Sequence, residues 1–281
     1  KCMHEMFSDA VRKYPDRTAL ESGDQKYTYK ELDEISNRLA NKLIKEGITP
    51  GDFIGICLIR SAEMIISLLG ILKSGAAYVP VDPSFPEDRI KYLLEDSGVK
   101  ILITSGDIAL NFESDSRKIF LIDKNFSSLL NESEDAPVTG VTPSDLLYII
   151  YTSGSTGKPK GVLMMHKSLS NLLNWQMRSH RFEEGYRVLQ FTTLSFDVSF
   201  QEIFSTWISG GTLVMLTEAE RKDLSQIVTI LKQKNIQRIF LPFVALQGIS
   251  EISMSSGIKD LPLKEVITAG EQIRITPALL Y

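Results

Sequence analysis

The sequence predicts an α/β fold of layered, largely parallel sheets with flanking helices. Short apolar runs of strand length recur along the chain. Runs of helix length stand between them, and glycine or proline marks many of the joints. Strands that alternate with helices in this way build layers around largely parallel sheets.

The elements follow in order. Thr28-Tyr29-Lys30-Glu31 reads as a capping box, in which the hydroxyl serves the amide three residues on and the glutamate reaches back. Leu32, Ile35, Leu39 and Leu43 then recur every three or four residues, the stripe of an amphipathic helix, and Gly47 ends it. Residues 53–58 read as a strand. Ala62–Lys73 reads as a helix so rich in Ile and Leu that much of its surface is expected to be buried. Gly75 closes it, and 78–81 is a short strand. Pro86 opens a helix through about residue 96, at a position that suits proline. Strands are expected at 100–104 and 119–122. The polar stretch 125–144, acidic around 131–135, reads as a surface excursion. A buried strand at 146–151 follows. Further on, the pattern gives strands at 187–193, 212–216, 236–241 and 264–268, with helices at 199–207 and 224–234. There is no repeat of solenoid type and no clean composition break, so residues 1–281 are read as one domain.

The most informative segment follows the strand at 146–151. It runs Tyr151-Thr152-Ser153-Gly154-Ser155-Thr156-Gly157-Lys158-Pro159-Lys160-Gly161. Glycine lets a backbone approach a ligand closely, hydroxyls add donors, and lysines add charge that pairs with phosphate. The segment reads as a grip on the phosphates of a nucleotide, with a polar surface loop as the alternative. It is not a P-loop, because only two residues separate Gly154 from Gly157-Lys158, and it is not a Gly-x-Gly-x-x-Gly fingerprint. Lys158 and Lys160 read either as mobile phosphate contacts or as solvated charges.

Bulk properties exclude several classes. A length of 281 residues buries a sizeable core, and 43% hydrophobic with 23% charged residues is ordinary for a globular chain. A net charge of −4 without a basic block speaks against a general nucleic-acid binder. Cys2 and Cys57 give no disulfide framework. Cys57 lies in an apolar run and reads as core, which suits a reducing, cytoplasmic setting. No apolar run is long enough to span a membrane, and the start lacks the apolar stretch of a signal peptide. No His/Cys cluster suggests structural zinc, and no Ser/His/Asp arrangement can be assembled. The first residue is not methionine, so the chain is expected to be cut from something longer.

The glycine segment resembles the signature of the adenylate-forming superfamily: acyl-CoA synthetases, luciferases and adenylation domains of nonribosomal peptide synthetases. Three further segments resemble motifs of the last group in order and spacing. They are Tyr27-Thr28-Tyr29-Lys30-Glu31-Leu32, the run Leu72-Lys73-Ser74-Gly75-Ala76-Ala77-Tyr78-Val79-Pro80-Val81-Asp82-Pro83, and Phe196-Asp197-Val198-Ser199-Phe200-Gln201-Glu202. The resemblance covers essentially the whole chain. It implies the N-terminal core of an adenylation domain, with subdomains around a shared cleft.

That resemblance implies that a carboxylate attacks the α-phosphorus of ATP, giving an acyl-adenylate and pyrophosphate, with Mg²⁺ sharing the phosphate charge. Thr152, Ser153, Gly154, Ser155, Thr156, Gly157, Lys158 and Lys160 are the implied phosphate contacts, with Thr152 also near the metal. Gly270, Glu271 and Gln272 are the turn along the adenine, where Gly270 is expected to allow close approach. Asp197 is implied to pair with the α-ammonium of an amino acid. Its bland alternative is a helix N-cap, and as a buried carboxylate it would need a partner. Asp197, Val198, Gln201, Phe240, Ile267 and Ala269 together resemble the pocket of proline-activating members. Such a pocket is expected to be small, mostly apolar and without a second charge. His166 stands where the family often has a histidine, without an evident catalytic role.

The implied partners are an amino-acid substrate, a phosphopantetheinyl carrier protein and a condensation domain, with no nucleic acid and no membrane. The family pattern continues past Tyr281: the motif whose acid helps hold Mg²⁺, the ribose-binding aspartate and the small C-terminal domain with its catalytic lysine. The 281 residues alone are therefore expected to be inactive. Two other readings stay open: an acyl- or aryl-CoA ligase of the same fold, and a catalytically incomplete fragment that binds nucleotide or amino acid.

Overall fold

A computed structural model describes residues 1–112, 116–153, 158–179 and 184–280. Helix α1 (Met3–Lys13) leads into a hairpin of β1 (Thr18–Ser22) and β2 (Gln25–Thr28). The sequence reading anticipated none of the three. The capping box then starts α2 (Tyr29–Lys45) as expected. The Glu31 amide donates to Thr28 Oγ1 at 3.1 Å, and the Thr28 amide donates to Glu31 Oε2 at 2.8 Å.

Next come β3 (Phe53–Cys57), α3 (Ala62–Lys73), β4 (Ala77–Pro80), α4 (Glu87–Asp96) and β5 (Ile101–Thr104), close to their predicted places. Gly47 and Gly75 follow α2 and α3 at φ 89° and 88°, in the left-handed region that penalises a Cβ. A single turn α5 (Gly106–Ala109) and β6 (Lys118–Leu121) lead to the polar excursion. That excursion is exposed but not loose. Asn37, Arg38 and Asn41 of α2 donate to the carbonyls of Leu130, Glu132, Ser133, Glu134 and Asp135, so five of its backbone acceptors are satisfied by one helix face.

The chain continues through β7 (Leu146–Thr152), β8 (Lys160–Met165), α6 (His166–Ser179) and β9 (Arg187–Gln190). It ends with α7 (Val198–Ile208), β10 (Thr212–Met215), α8 (Glu218–Lys222), α9 (Leu224–Gln233), β11 (Arg238–Phe240), α10 (Phe243–Ser255) and β12 (Glu265–Ile267). The sequence reading missed β8, α6, α8 and α10. It also carried β9 three residues too far.

The strands form two six-stranded sheets, ordered β12-β11-β9-β10-β1-β2 and β6-β5-β3-β4-β7-β8. Pairing is parallel throughout except β1 with β2 and β7 with β8. Period-two alternation sorts the side chains. Ile54, Ile56, Tyr78, Ile101, Ile103, Tyr148 and Ile150 of the second sheet join Leu213 and Met215 of the first in one core. Helices α1, α2, α3 and α7 contribute to that same core, so they fill the space between the sheets. The alternate residues Cys57, Val79, Leu102 and Ile149 face α4, while Leu189, Val214 and Ile239 face α9 and α10. Cys57 is buried, as read from its apolar run.

The half-buried His4 of α1 and the buried His166 at the head of α6 meet where these two helices pack. Their rings lie edge-to-face at 5.7 Å, and the Met3 amide donates to His166 Nδ1 at 3.2 Å. Burial lowers the pKa of His4 to about 4 and that of His166 to about 3. Both imidazoles are therefore held neutral in the fold, while in the unfolded chain they take up protons below about pH 6.5. Their contribution to stability is complete above that value and is lost as the pH falls toward the folded values. Denaturant unfolding at pH 7.5, 5.5 and 4.5 is expected to show this decline. The variant His4→Asn should flatten it; an equal decline in the variant would locate the acid sensitivity elsewhere.

Candidate functional site

A cavity of about 830 Å³ opens beyond the carboxyl ends of the first sheet. In open parallel sheets this is where ligands bind, because loops diverge there and leave a crevice. Its walls come from Thr192 and Thr193 after β9, Arg221 of α8, Leu241 and Pro242 after β11, and Ala269, Gly270 and Glu271 after β12. Tyr148 of β7 and Leu169 and Leu172 of α6 close it from the second sheet.

Seven sequence-predicted residues meet here: Asp197, Val198, Gln201, Ile267, Ala269, Gly270 and Glu271. Asp197 heads α7, and its Oδ1 accepts the Val198 amide at 2.9 Å. The aspartate is thus a helix N-cap and a cavity residue at once. It is exposed to the cavity rather than buried, contrary to the expectation. One α-helical turn places Val198 and Gln201 on the same wall. Its charge reaches into the second sheet as well. Burial, with Asp197 adding, pushes the Tyr148 hydroxyl up to about 12.

Phe240 departs from the prediction. It is fully buried and does not line the cavity, whereas the next two residues do. The cavity as a whole is larger than the side-chain pocket expected, and it carries further charge at its border. Arg221 and Glu271 both border it, because α8 and the turn after β12 reach a cavity that no local sequence pattern locates. Arg221 donates to Glu218 at 2.7 Å and is paired there. Glu271 accepts the Val244 amide at 3.2 Å, so it caps the start of α10. Gly270 has φ 87°. An added Cβ there would meet nothing within 4 Å, so its glycine is required by backbone conformation rather than by crowding. Gln272 is exposed and does not border the cavity.

Residues 154–157 of the glycine segment, Gly154, Ser155, Thr156 and Gly157, lie outside the described residues. Their flanks are described. Thr152 pairs with Lys160 across β7 and β8, and Thr152, Ser153, Lys158 and Lys160 are all exposed. Helix α4 ties down both flanks. Tyr151 Oη donates to Asp96 Oδ2 at 2.7 Å, and Tyr92 Oη donates to the Pro159 carbonyl at 3.1 Å. Tyr148 and Thr152 stand four residues apart on one strand, roughly 13 Å, so β7 links the glycine segment to the cavity.

A magnesium ion takes oxygen ligands, with one or two carboxylates beside the phosphates. Among the described residues no group of three His, Cys, Asp or Glu is placed to hold a metal, and Thr152 offers a single exposed hydroxyl. The described residues do not form a magnesium site by themselves.

Residues 7–278 match the AMP-binding enzyme family. The chain belongs to that family. Tyrocidine synthase 2 of Brevibacillus parabrevis is 40% identical over 278 residues, taking in 99% of this AMP-binding chain and 8% of the synthase. The AMPPNP-bound form of a nonribosomal peptide synthetase, FmoA3, matches with a TM-score of 0.88 at 25% identity, over 97% of this chain and 29% of that one. The N-terminal subdomain of Klebsiella oxytoca NpsA, in complex with 3-hydroxybenzoyl-AMSN, matches with a TM-score of 0.83 at 26% identity, over 96% and 67%. The layered α/β fold and the motif resemblance agree with these matches. The chain spans under a tenth of the length of curated relatives such as tyrocidine synthase 2.

The turn after β12 gives a structural prediction for this AMP-binding chain. Gly270→Ala places a Cβ in the left-handed region and is expected to cost about 1 kcal/mol. Urea denaturation of the two proteins measures it, and an unchanged midpoint would show that the turn relaxes without penalty.

Proposed function

We propose that the protein activates an amino acid with ATP, forming an aminoacyl-adenylate for transfer to a carrier-protein thiol in nonribosomal peptide synthesis. Residues 1–281 form the N-terminal core of its adenylation domain in this reading. The observation that carries it is the cavity itself, whose lining includes both Asp197 and the turn 269–271. Asp197 holds the α-ammonium through a charge-assisted hydrogen bond. The turn borders the adenine, and the glycine segment at the end of β7 holds the leaving pyrophosphate. A substrate carboxylate oxygen bonds to the α-phosphorus as the bond to pyrophosphate breaks. Holding the two in line removes much of the entropic barrier. Magnesium, when bound with the nucleotide, supplies charge neutralisation on the phosphates.

The best-supported substrate is L-proline or a compact aliphatic relative. Val198, Ile267 and Ala269 present apolar surface, and Gln201 adds one neutral polar group. Arg221 is engaged by Glu218, so it does not offer an open cation to an acidic side chain. Activation of an aryl acid is the rival reading, because the related NpsA subdomain carries a hydroxybenzoyl ligand.

Pyrophosphate exchange by the full-length protein against a panel of amino acids and aryl acids separates the two. Proline or a small aliphatic amino acid is expected to dominate; a charged or large aromatic amino acid, or an aryl acid, would overturn the assignment. Asp197→Asn keeps the shape and removes the charge. It should cost roughly 1.5–3 kcal/mol, a tenfold to hundredfold loss on the order of magnitude in kcat/KM. An unchanged kcat/KM would leave Asp197 with its capping role alone.

The anchoring of the glycine segment is tested separately. Tyr92→Phe removes the hydrogen bond to Pro159 without removing the ring. The KM for ATP is expected to rise about threefold, in keeping with the modest net worth of one exposed hydrogen bond, while the melting temperature stays near that of the parent. An unaltered KM for ATP would show that the segment does not depend on α4.

A further inference from the structure

Strand β9 stops at Gln190, and the next peptide groups border the cavity. They have left the parallel ladder, yet they are not free. The Phe191 amide donates to Glu202 Oε1 at 2.9 Å, and the Thr192 amide donates to both Glu202 oxygens at 3.3 and 3.4 Å. Gln190 Nε2 donates to Glu202 Oε2 at 2.8 Å. From the other side Arg60, in the turn between β3 and α3, donates to the Gln190 carbonyl at 2.9 Å and to the Phe191 carbonyl at 2.6 Å. It also donates to Gln190 Oε1. Side chains thus replace the sheet in holding this wall.

Both of these side chains are costly where they stand. Glu202 is fully buried, and the Arg60 side chain is 4% exposed. A buried charge destabilises a fold unless donors or acceptors surround it. Burial pushes the Glu202 carboxyl up to about 8, and the groups that surround it and the Arg60 guanidinium are the polar groups of the cavity wall. Glu202 also lies on α7, one turn past Val198, so the helix that presents Asp197 is tied directly to the opposite wall.

We propose that Glu202 and Arg60 are positioning residues that fix the wall at 191–192 relative to Asp197, and so set amino-acid affinity without touching the amino acid. This rests on the amino-acid-activating reading above. The wall and the Asp197 helix are one hydrogen-bonded unit. A change in the carboxylate shifts the distance between the ammonium site and the side-chain pocket, and leaves the nucleotide end alone.

Glu202→Gln tests this in the full-length protein. The new amide puts a donor against Gln190 Nε2, so one contact turns repulsive while the shape is kept. The amino-acid KM is expected to rise about tenfold, the scale of one lost buried hydrogen bond, with the KM for ATP within twofold of the parent. Gln190 Nε2 also donates to the Thr192 carbonyl, so the same swap of donor for acceptor disturbs the wall itself. Plain destabilisation would not produce a split between the two KM values. An unchanged amino-acid KM in Glu202→Gln, or an equal rise in both KM values, would overturn the proposal. Absence of amino-acid-dependent exchange in the parent protein would instead remove the functional reading, and this proposal with it.

Discussion

Peptide groups just past the carboxyl end of a parallel strand have no ladder partner, and the candidate site is organised around how this chain satisfies them. Buried donors and acceptors need partners. After β9 they find Glu202 and Arg60. After β12 the turn at Gly270 takes a left-handed backbone, and Glu271 turns back to cap α10. After β7 the chain is held by Tyr151 and Tyr92 against α4. Each solution fixes a segment of chain, and those after β9 and β12 border the cavity.

The same logic explains the buried charges away from the cavity. Lys73, at the end of α3, donates to Asp33 Oδ1 at 2.7 Å and to Asn37 Oδ1 at 2.6 Å, both on α2. Burial lowers its pKa to about 8 despite the aspartate. Arg187 and Lys234 converge on Glu21 in the first sheet. In each case a charge is tolerated because its partners lie on elements that the apolar core has already placed. Removing one partner would strand the other, the costly case for a buried pair.

The middle helical layer has a different origin. Strand side chains alternate faces, so each sheet presents one apolar face inward and another outward. Helices α1, α2, α3 and α7 are covered on both sides by the two inward faces. Helix α3 is buried along its whole length, which is why its sequence is apolar almost all round rather than striped. Helix α2 packs with one stripe inward and turns its polar face to the excursion at 131–135, which it binds through Asn37, Arg38 and Asn41.

Local sequence determined the elements whose signals are local. The Thr28 capping box, the glycine after α3, the places of the apolar strands and the start of α7 at Asp197 follow from neighbours along the chain, although β9 ends three residues before its pattern does. The hairpin β1–β2, the edge strand β8 and helices α6 and α10 were not legible to that reading, because short or half-exposed elements draw their stability from partners distant in sequence. The site divides the same way. Motif strings placed Asp197, Val198, Gln201, Ile267, Ala269, Gly270 and Glu271, which the cavity gathers. Only the tertiary structure buried Phe240 away from the cavity, brought Arg221 to its border, and set Glu202 beneath the wall at 191–192. A side chain's type is written in the sequence, but its exposure and its hydrogen-bond partners depend on which strand ends and helix faces the packed core brings together.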